Sequence, residues 1–227
     1  MTDRIIAIDG PAGSGKSSVS RSVAAKLDWI MLDTGAMYRA ITWAVLEANI
    51  SPSDADSVTK IAFSVNIDLG THPQDKKVHV NDVEVTQEIR SPEVTASVSA
   101  VSAIDGVRKR LVELQREVVR KSEHGIVIEG RDIGSVVLPD AKLKIFLTAD
   151  PRVRAQRRSA EIGNPITDSE LDAMEASITE RDRRDSTREI SPLVAADDAV
   201  VIDTSDLSQD QVVDLIVELA RDTYSLT

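Results

Sequence analysis

Gly10-Pro11-Ala12-Gly13-Ser14-Gly15-Lys16-Ser17 matches the phosphate-binding loop pattern at every fixed position: Gly10, Gly15, Lys16 and the closing Ser17. The flanks supply the context that this loop requires. Arg4 to Asp9 is a short apolar run suited to a buried strand, and Ser18 to Leu27 continues with helical spacing. Strand, glycine loop and helix in that order predict an α/β protein built on a parallel sheet. The glycines let backbone N–H groups turn inward around a phosphate chain, and the helix N-terminus favours the negative charge. Lys16 is placed to neutralise the β- and γ-phosphates of a nucleoside triphosphate, and Ser17 to offer its hydroxyl to Mg2+.

With 227 residues, 41% of them hydrophobic, the chain can build one large α/β core carrying a small insert. There is no cysteine, which excludes disulfides and thiolate metal sites. His72, His79 and His124 fall outside every motif. No basic start followed by an apolar segment is present, and no apolar run reaches the length of a membrane span, so a cytoplasmic protein is expected. The formal charge of −11 argues against nucleic-acid binding, which needs a basic face to displace counterions. The positive charge is nonetheless concentrated. Arg152, Arg154, Arg157, Arg158, Arg181, Arg183, Arg184 and Arg188 put eight phosphate-matching guanidinium groups in one stretch.

Along the chain, Trp29 to Asp33 reads as a second strand, with Thr34 placed to cap a helix from Ala36 to Ala48 that carries Tyr38 and Arg39 on its first turns. A strand-to-helix junction of this kind lies at the ligand-binding edge of a parallel sheet. Arg39 there fits either a second phosphate or a solvated surface. From Phe63 to about Ile89 the pattern alternates polar and apolar residues, the signature of short antiparallel strands, with Asn81-Asp82 as a tight turn. Ser91-Pro92 opens a helix through Ser99, and a second helix spans Asp105 to Lys121 and bears Arg108. Gly125 to Glu129 is a strand ending in Gly130-Arg131-Asp132-Ile133-Gly134, a loop equally suited to a salt bridge or a ligand site. After the strand Lys142 to Leu147, Asp150-Pro151 opens a helix on which Arg154, Arg157 and Arg158 share a face without an acidic partner at local pairing distance. Asn164-Pro165-Ile166 breaks it, and Thr167 with Glu170 forms a capping box for the next helix. Helix, break and helix with unpaired arginines predict a mobile lid over phosphates. The last strand is Ala199 to Asp203, followed by a helix capped by Ser208 and Gln211. The core thus takes residues 1–62, 102–150 and 189–227, the insert 63–101, and the lid with its arginine-rich continuation 151–188.

The arginine supply exceeds what one triphosphate needs, because the loop amides, Lys16 and Mg2+ already serve it. Arg39, Arg131 and Arg188 are accounted for by a second, anionic ligand, and the economical reaction is phosphoryl transfer to a phosphate. A phosphate monoester has a second pKa near roughly 6 and is largely dianionic at neutral pH, so no protein base is required.

The chain resembles the bacterial cytidylate kinases over nearly its whole length, through Gly10 to Ser18, the segment Asp33 to Arg39, the loop Glu129 to Gly134 and the run Arg181 to Arg188. The resemblance implies a three-layer sandwich with a central parallel sheet, an inserted antiparallel β subdomain and a helical lid. It implies a monomer that transfers the ATP γ-phosphoryl group to CMP or dCMP with magnesium. ATP contacts then fall on Gly10, Pro11, Ala12, Gly13, Ser14, Gly15, Lys16, Ser17, Ser18 and Arg157. By the same resemblance Ser99, Arg108 and Asp132 meet the cytosine edge, Arg181 and Asp185 the ribose, and Arg39, Arg131 and Arg188 the acceptor phosphate, and Thr34 and Tyr38 also belong to the CMP site. Arg154, Arg157 and Arg158 correspond to lid arginines. The expected catalytic set is Lys16, Arg131, Arg154, Arg158 and Arg188. Two positions depart from the family pattern: Thr34 where Ser is common and Glu129 where many members carry Asp. The second leaves Glu129 outside the expected magnesium set. A kinase for UMP or another monophosphate, and a GTP-dependent switch, are the rival functions; no Asn-Lys-x-Asp guanine-reading segment occurs, which counts against the switch.

Overall fold

A computed structural model of the chain describes residues 3–162, 167–188 and 190–226. Five parallel strands form the central sheet in the order β2 (Ile30–Asp33), β6 (Ile126–Gly130), β1 (Ile5–Asp9), β7 (Leu143–Thr148) and β8 (Val200–Asp203). Helices cover both faces, as a parallel sheet requires. Because strand side chains alternate, β1 sends Ile6 and Ile8 to the face covered by α1 (Lys16–Leu27) and α8 (Gln209–Tyr224), and Ile5 and Ala7 to the other. That second face packs against α2 (Thr34–Glu47), α3 (Ala55–Ser64) and α5 (Asp105–Lys121). On α5 the buried positions Val107, Leu111, Gln115 and Val119 recur at helical spacing, which is why this charged helix still binds the core along one stripe. Among the described residues no helix is long and apolar enough to cross a membrane.

β3 (Ile67–Leu69), β4 (Val78–Val80) and β5 (Val83–Glu84) form the expected antiparallel meander. Its tight turn is Asn81-Asp82, both at positive φ (49° and 68°), a hairpin geometry that Asn and Asp tolerate. The meander has no separate core, because Val78, Val80 and Val85 join the cluster under α2 and α5. Phe63 belongs to the last turn of α3, a helix the sequence reading did not assign. α4 (Pro92–Ser102) starts where expected, with the Ser91 side chain accepting from the Val94 N–H.

The cap of α2 differs from expectation. Asp33, not Thr34, accepts from the Ala36 N–H (2.9 Å), and Thr34 is already helical. The Thr34 hydroxyl instead donates to the Glu129 carbonyl (2.7 Å) and ties the ends of β2 and β6 together. Past β7, α6 (Pro151–Ile162) and α7 (Asp168–Thr187) pack against each other, and the Thr167–Glu170 capping box opens the second. The expected break at Asn164-Pro165-Ile166 lies outside the described residues.

Ile128 on central strand β6 is fully buried, whereas Val201 on edge strand β8 is 59% exposed. Ile128→Ala should therefore cost about 2–5 kcal/mol of stability and Val201→Ala within about 0.5 kcal/mol, read from urea unfolding midpoints; equal losses would contradict this placement of the core.

Candidate active site

The site is assembled at the carboxyl ends of the parallel strands. The loop after β1 turns into α1 at Gly15, which caps the helix with φ 87°. No side chain satisfies the first amides of α1, so they remain available to an anion. Gly10 has no room for a side chain: a Cβ there would stand 2.1 Å from the Leu147 carbonyl oxygen. Inside the loop the Ser14 hydroxyl donates to Pro11 O (3.1 Å), and so does Lys16 Nζ (2.7 Å). Burial and the nearby Arg131 lower the Lys16 pKa, against the opposing pull of Glu129 and Asp9. Ser17 and Ser18 are exposed at the helix start.

A second loop lies beside the first because β1 and β6 are neighbours, with Asp9 registered against Gly130. Arg131 crosses back and donates to the Gly10 carbonyl, while its Nε pairs with Asp185 of α7 (3.2 Å). Asp132 forms a buried ion pair with Arg108 of α5, and Arg108 also covers the Tyr38 ring at 5.5 Å from its centroid. Arg108 further donates to Ser102 O (3.3 Å); Ser99 stands one turn earlier on the same helix. The groups expected at a cytosine edge are thus gathered from three elements, although the Ser99 hydroxyl makes none of these contacts.

The arginines converge from distant parts of the chain. Arg39 donates to Ile89 O and to the Thr95 hydroxyl, and its pKa falls to about 10 through burial and then through Arg181, Arg90 and Arg158. Burial and Arg181 lower Arg131; burial and Arg108 lower Arg188. Arg181 Nε and one terminal nitrogen of Arg188 are buried without a hydrogen-bond partner. Cations buried together with orphaned donors form a receptor for an anion.

The expectation of unpaired lid arginines fails at Arg154 and Arg157. Arg154 is buried, donates to Ala149 O and Ala12 O, and pairs with Asp182. That carboxylate lies 28 residues on in the sequence, beyond any local spacing rule. Its other oxygen accepts from the Ala12 N–H of the glycine loop (3.4 Å). Arg157 donates to the hydroxyl and carbonyl of Thr204 after β8. Arg158 contributes to the positive field at Arg39.

Glu129 is the residue that the sequence reading set aside. It is buried, one carboxylate oxygen has no partner, and nearby Ser17 favours its ionised form. Burial and the neighbouring Asp33 raise its pKa. Its place at the end of a central parallel strand, beside the glycine loop, was the signal available in the sequence.

The sequence profile of the cytidylate kinase family matches residues 6–222. The chain belongs to the cytidylate kinase family. It is 50% identical over 218 residues to a cytidylate kinase of Streptomyces avermitilis, covering 96% of this chain and 93% of that one. A cytidylate kinase of Mycobacterium avium is also 50% identical, over 219 residues and 96% of both chains. Among solved structures, an uncharacterized protein from Eubacterium ventriosum shares the fold with a TM-score of 0.52 at 17% identity, over 97% of this chain and 99% of that one.

In this cytidylate kinase family member, Asp182 takes two donors, Arg154 and the Ala12 N–H, that suit a phosphate. One set of donors cannot serve carboxylate and phosphate together. Asp182→Asn should therefore bind inorganic tripolyphosphate roughly three- to thirtyfold more tightly by calorimetry. Asp172→Asn, which removes an equal charge from the exposed Arg152 pair, should change nothing. Weaker binding by Asp182→Asn would mean that the carboxylate orients Arg154 for the anion.

Proposed function

We propose that the protein transfers the γ-phosphoryl group of ATP to CMP or dCMP, giving ADP and the diphosphate. The observation that carries this reading is the convergence of Arg39, Arg131, Arg181 and Arg188 beside a complete phosphate-binding loop, which supports two phosphorylated ligands facing each other. The names of the relatives support the same reaction.

In the reaction, an oxygen of the CMP phosphate forms the new bond to the γ-phosphorus as the bond from that phosphorus to the ADP oxygen breaks. The loop from Gly10 to Ser18 holds the ATP phosphates through backbone amides, and Lys16 neutralises their charge. Arg131 stands between the two loops, bonded to Gly10 O, and can follow charge from donor to acceptor. Arg154 and Arg158 come from the lid side, while Arg39 and Arg188 hold the acceptor phosphate. Arg157 lines the ATP side. Asp132 accepts from the cytosine exocyclic amine, a contact that a uracil carbonyl cannot provide. Tyr38, Ser99 and Arg108 complete that pocket, with Arg181 and Asp185 on the ribose and Thr34 behind the acceptor.

Magnesium fits the oxygen donors present: the Ser17 hydroxyl and, beside it, the buried Glu129 carboxylate with its orphaned oxygen. Among the described residues no three His, Asp or Glu side chains gather into a metal cage. Bound there, magnesium would offset the charge of the β- and γ-phosphates.

The testing experiment is a coupled assay of ADP release with ATP and magnesium, offering CMP, dCMP, UMP, AMP or no acceptor. Turnover with CMP and dCMP is expected. Best turnover with UMP or AMP would overturn the base contacts, and acceptor-independent turnover would favour a hydrolase or switch. Lys16→Met should abolish turnover with folding intact by circular dichroism. Asp132→Ala should weaken CMP by about 1–3 kcal/mol and ATP far less; equal losses for both would make Asp132 structural.

A further inference from the structure

Asp9 is the last residue of β1, stands directly before Gly10 and is 5% exposed. Its two carboxylate oxygens accept from the Ile133 and Gly134 N–H groups, both at 2.8 Å, across 124 and 125 residues of sequence. Burial raises its pKa to about 6 even though both N–H groups and Lys16 favour the ionised form, so keeping a carboxylate here is costly. An apolar side chain would fill the space at the end of β1 more cheaply. What only an acceptor with two oxygens does is clamp two successive backbone amides.

Those amides belong to a single π-helical turn, Ile133–Val137, that begins just after Asp132. Asp132 sits at its head with φ −148° and ψ 27°, and its carbonyl accepts from the Val136 and Val137 N–H groups. The far end is held by Arg116 of α5, which donates to the Val136 and Val137 carbonyls (3.0 and 2.9 Å). Gly130 and Gly134 allow the packing, since a Cβ at Gly130 would stand 2.6 Å from Ile133 and one at Gly134 3.1 Å from Lys144. The backbone that carries Asp132 is therefore clamped from β1 on one side and from α5 on the other.

We propose that Asp9 is a positioning residue that fixes Asp132 relative to the glycine loop and thereby sets which base the acceptor site accepts. The proposal rests on the function argued above. Both Asp9 oxygens are taken up by the Ile133 and Gly134 amides. Asp9 acts through the backbone of the turn, joining the strand that ends in the ATP loop to the loop that reads the acceptor. Arg131 donating to Gly10 O is the reciprocal link. Asp9→Asn is nearly isosteric but turns one acceptor into an N–H group facing an N–H group. The turn must then shift, and Asp132 with it, while Gly10 to Ser17 keep their own internal bonds.

The experiment compares wild type, Asp9→Asn and Arg116→Gln with CMP and UMP as acceptors, and measures ATP binding separately without acceptor. Asp9→Asn should lower kcat/KM for CMP by about 10- to 100-fold and narrow the CMP-to-UMP preference by about tenfold, with ATP affinity changed less than about threefold. Arg116→Gln should move the same ratio in the same direction by less, and it carries the test by itself if Asp9→Asn does not fold. An unchanged CMP-to-UMP ratio, or an ATP loss as large as the CMP loss, would overturn the proposal. A wild type that does not prefer CMP would overturn the functional reading instead, and the ratio of acceptor loss to ATP loss would then decide the role of Asp9 on the acceptor that is used.

Discussion

Guanidinium groups drawn out of water repel one another, and most of the geometry at the edge of this sheet manages that repulsion. Arg39, Arg131 and Arg188 are each held below the usual arginine pKa by burial and then by another arginine. Two carboxylates on α7, Asp182 and Asp185, lie three positions apart on one helix face and answer Arg154 and Arg131. The same helix carries Arg181 and ends at its C-cap Arg188, so α7 brings positive donors and the negative charge that steadies them. α7 also touches α4.

Strand topology makes the convergence possible. The glycine loop leaves β1, and the Gly130-Arg131-Asp132 loop leaves β6, its immediate parallel neighbour. Because both strands run the same way, both loops emerge at one edge, where the N-terminal amides of α1 also point. β2 stands next to β6 and delivers α2, with Tyr38 and Arg39, to the same edge. Sequence positions near 10, 35 and 130 thus become neighbours without any long unsupported loop. Glu129 at the end of β6 faces Ser17 for the same reason.

Local chemistry was legible in the sequence; long-range pairing was not. The strand–loop–helix order around the glycines, the two capping boxes, the Asn81-Asp82 turn and the Ser91-Pro92 helix start each follow from a few adjacent residues, and the structure has each of them. Thr34 was misread as a cap because Asp33 and Thr34 both suit that position. Only the approach of the Glu129 carbonyl, 95 residues away, decides which of them caps and which bridges strands. α3 was missed because its pattern sits between a turn-rich stretch and the meander, and its capping Asp54 is one of several acidic and hydroxyl residues there. Arg154 looked unpaired because Asp182, 28 residues away, lies beyond any helical pairing distance. The departure of Glu129 from the common family residue drew it out of the expected site, yet its burial beside Ser17 depends on strand order, which no local pattern encodes.

The charge balance on α7 also bears on selectivity. Where arginines are already answered by carboxylates, an incoming ligand exchanges one anion for another and does not simply add attraction. A monoanionic carboxylate held on a helix is displaced best by a group of higher charge with more acceptor oxygens, and a phosphate dianion meets both requirements. A nucleoside without its phosphate offers neither. On the proposed function it would leave the orphaned donor of Arg188 unsatisfied. If the proposed function holds, the carboxylates do not weaken the site without return: they raise the threshold that an acceptor must cross, so that the phosphate itself, and not only the base, would be part of what is recognised.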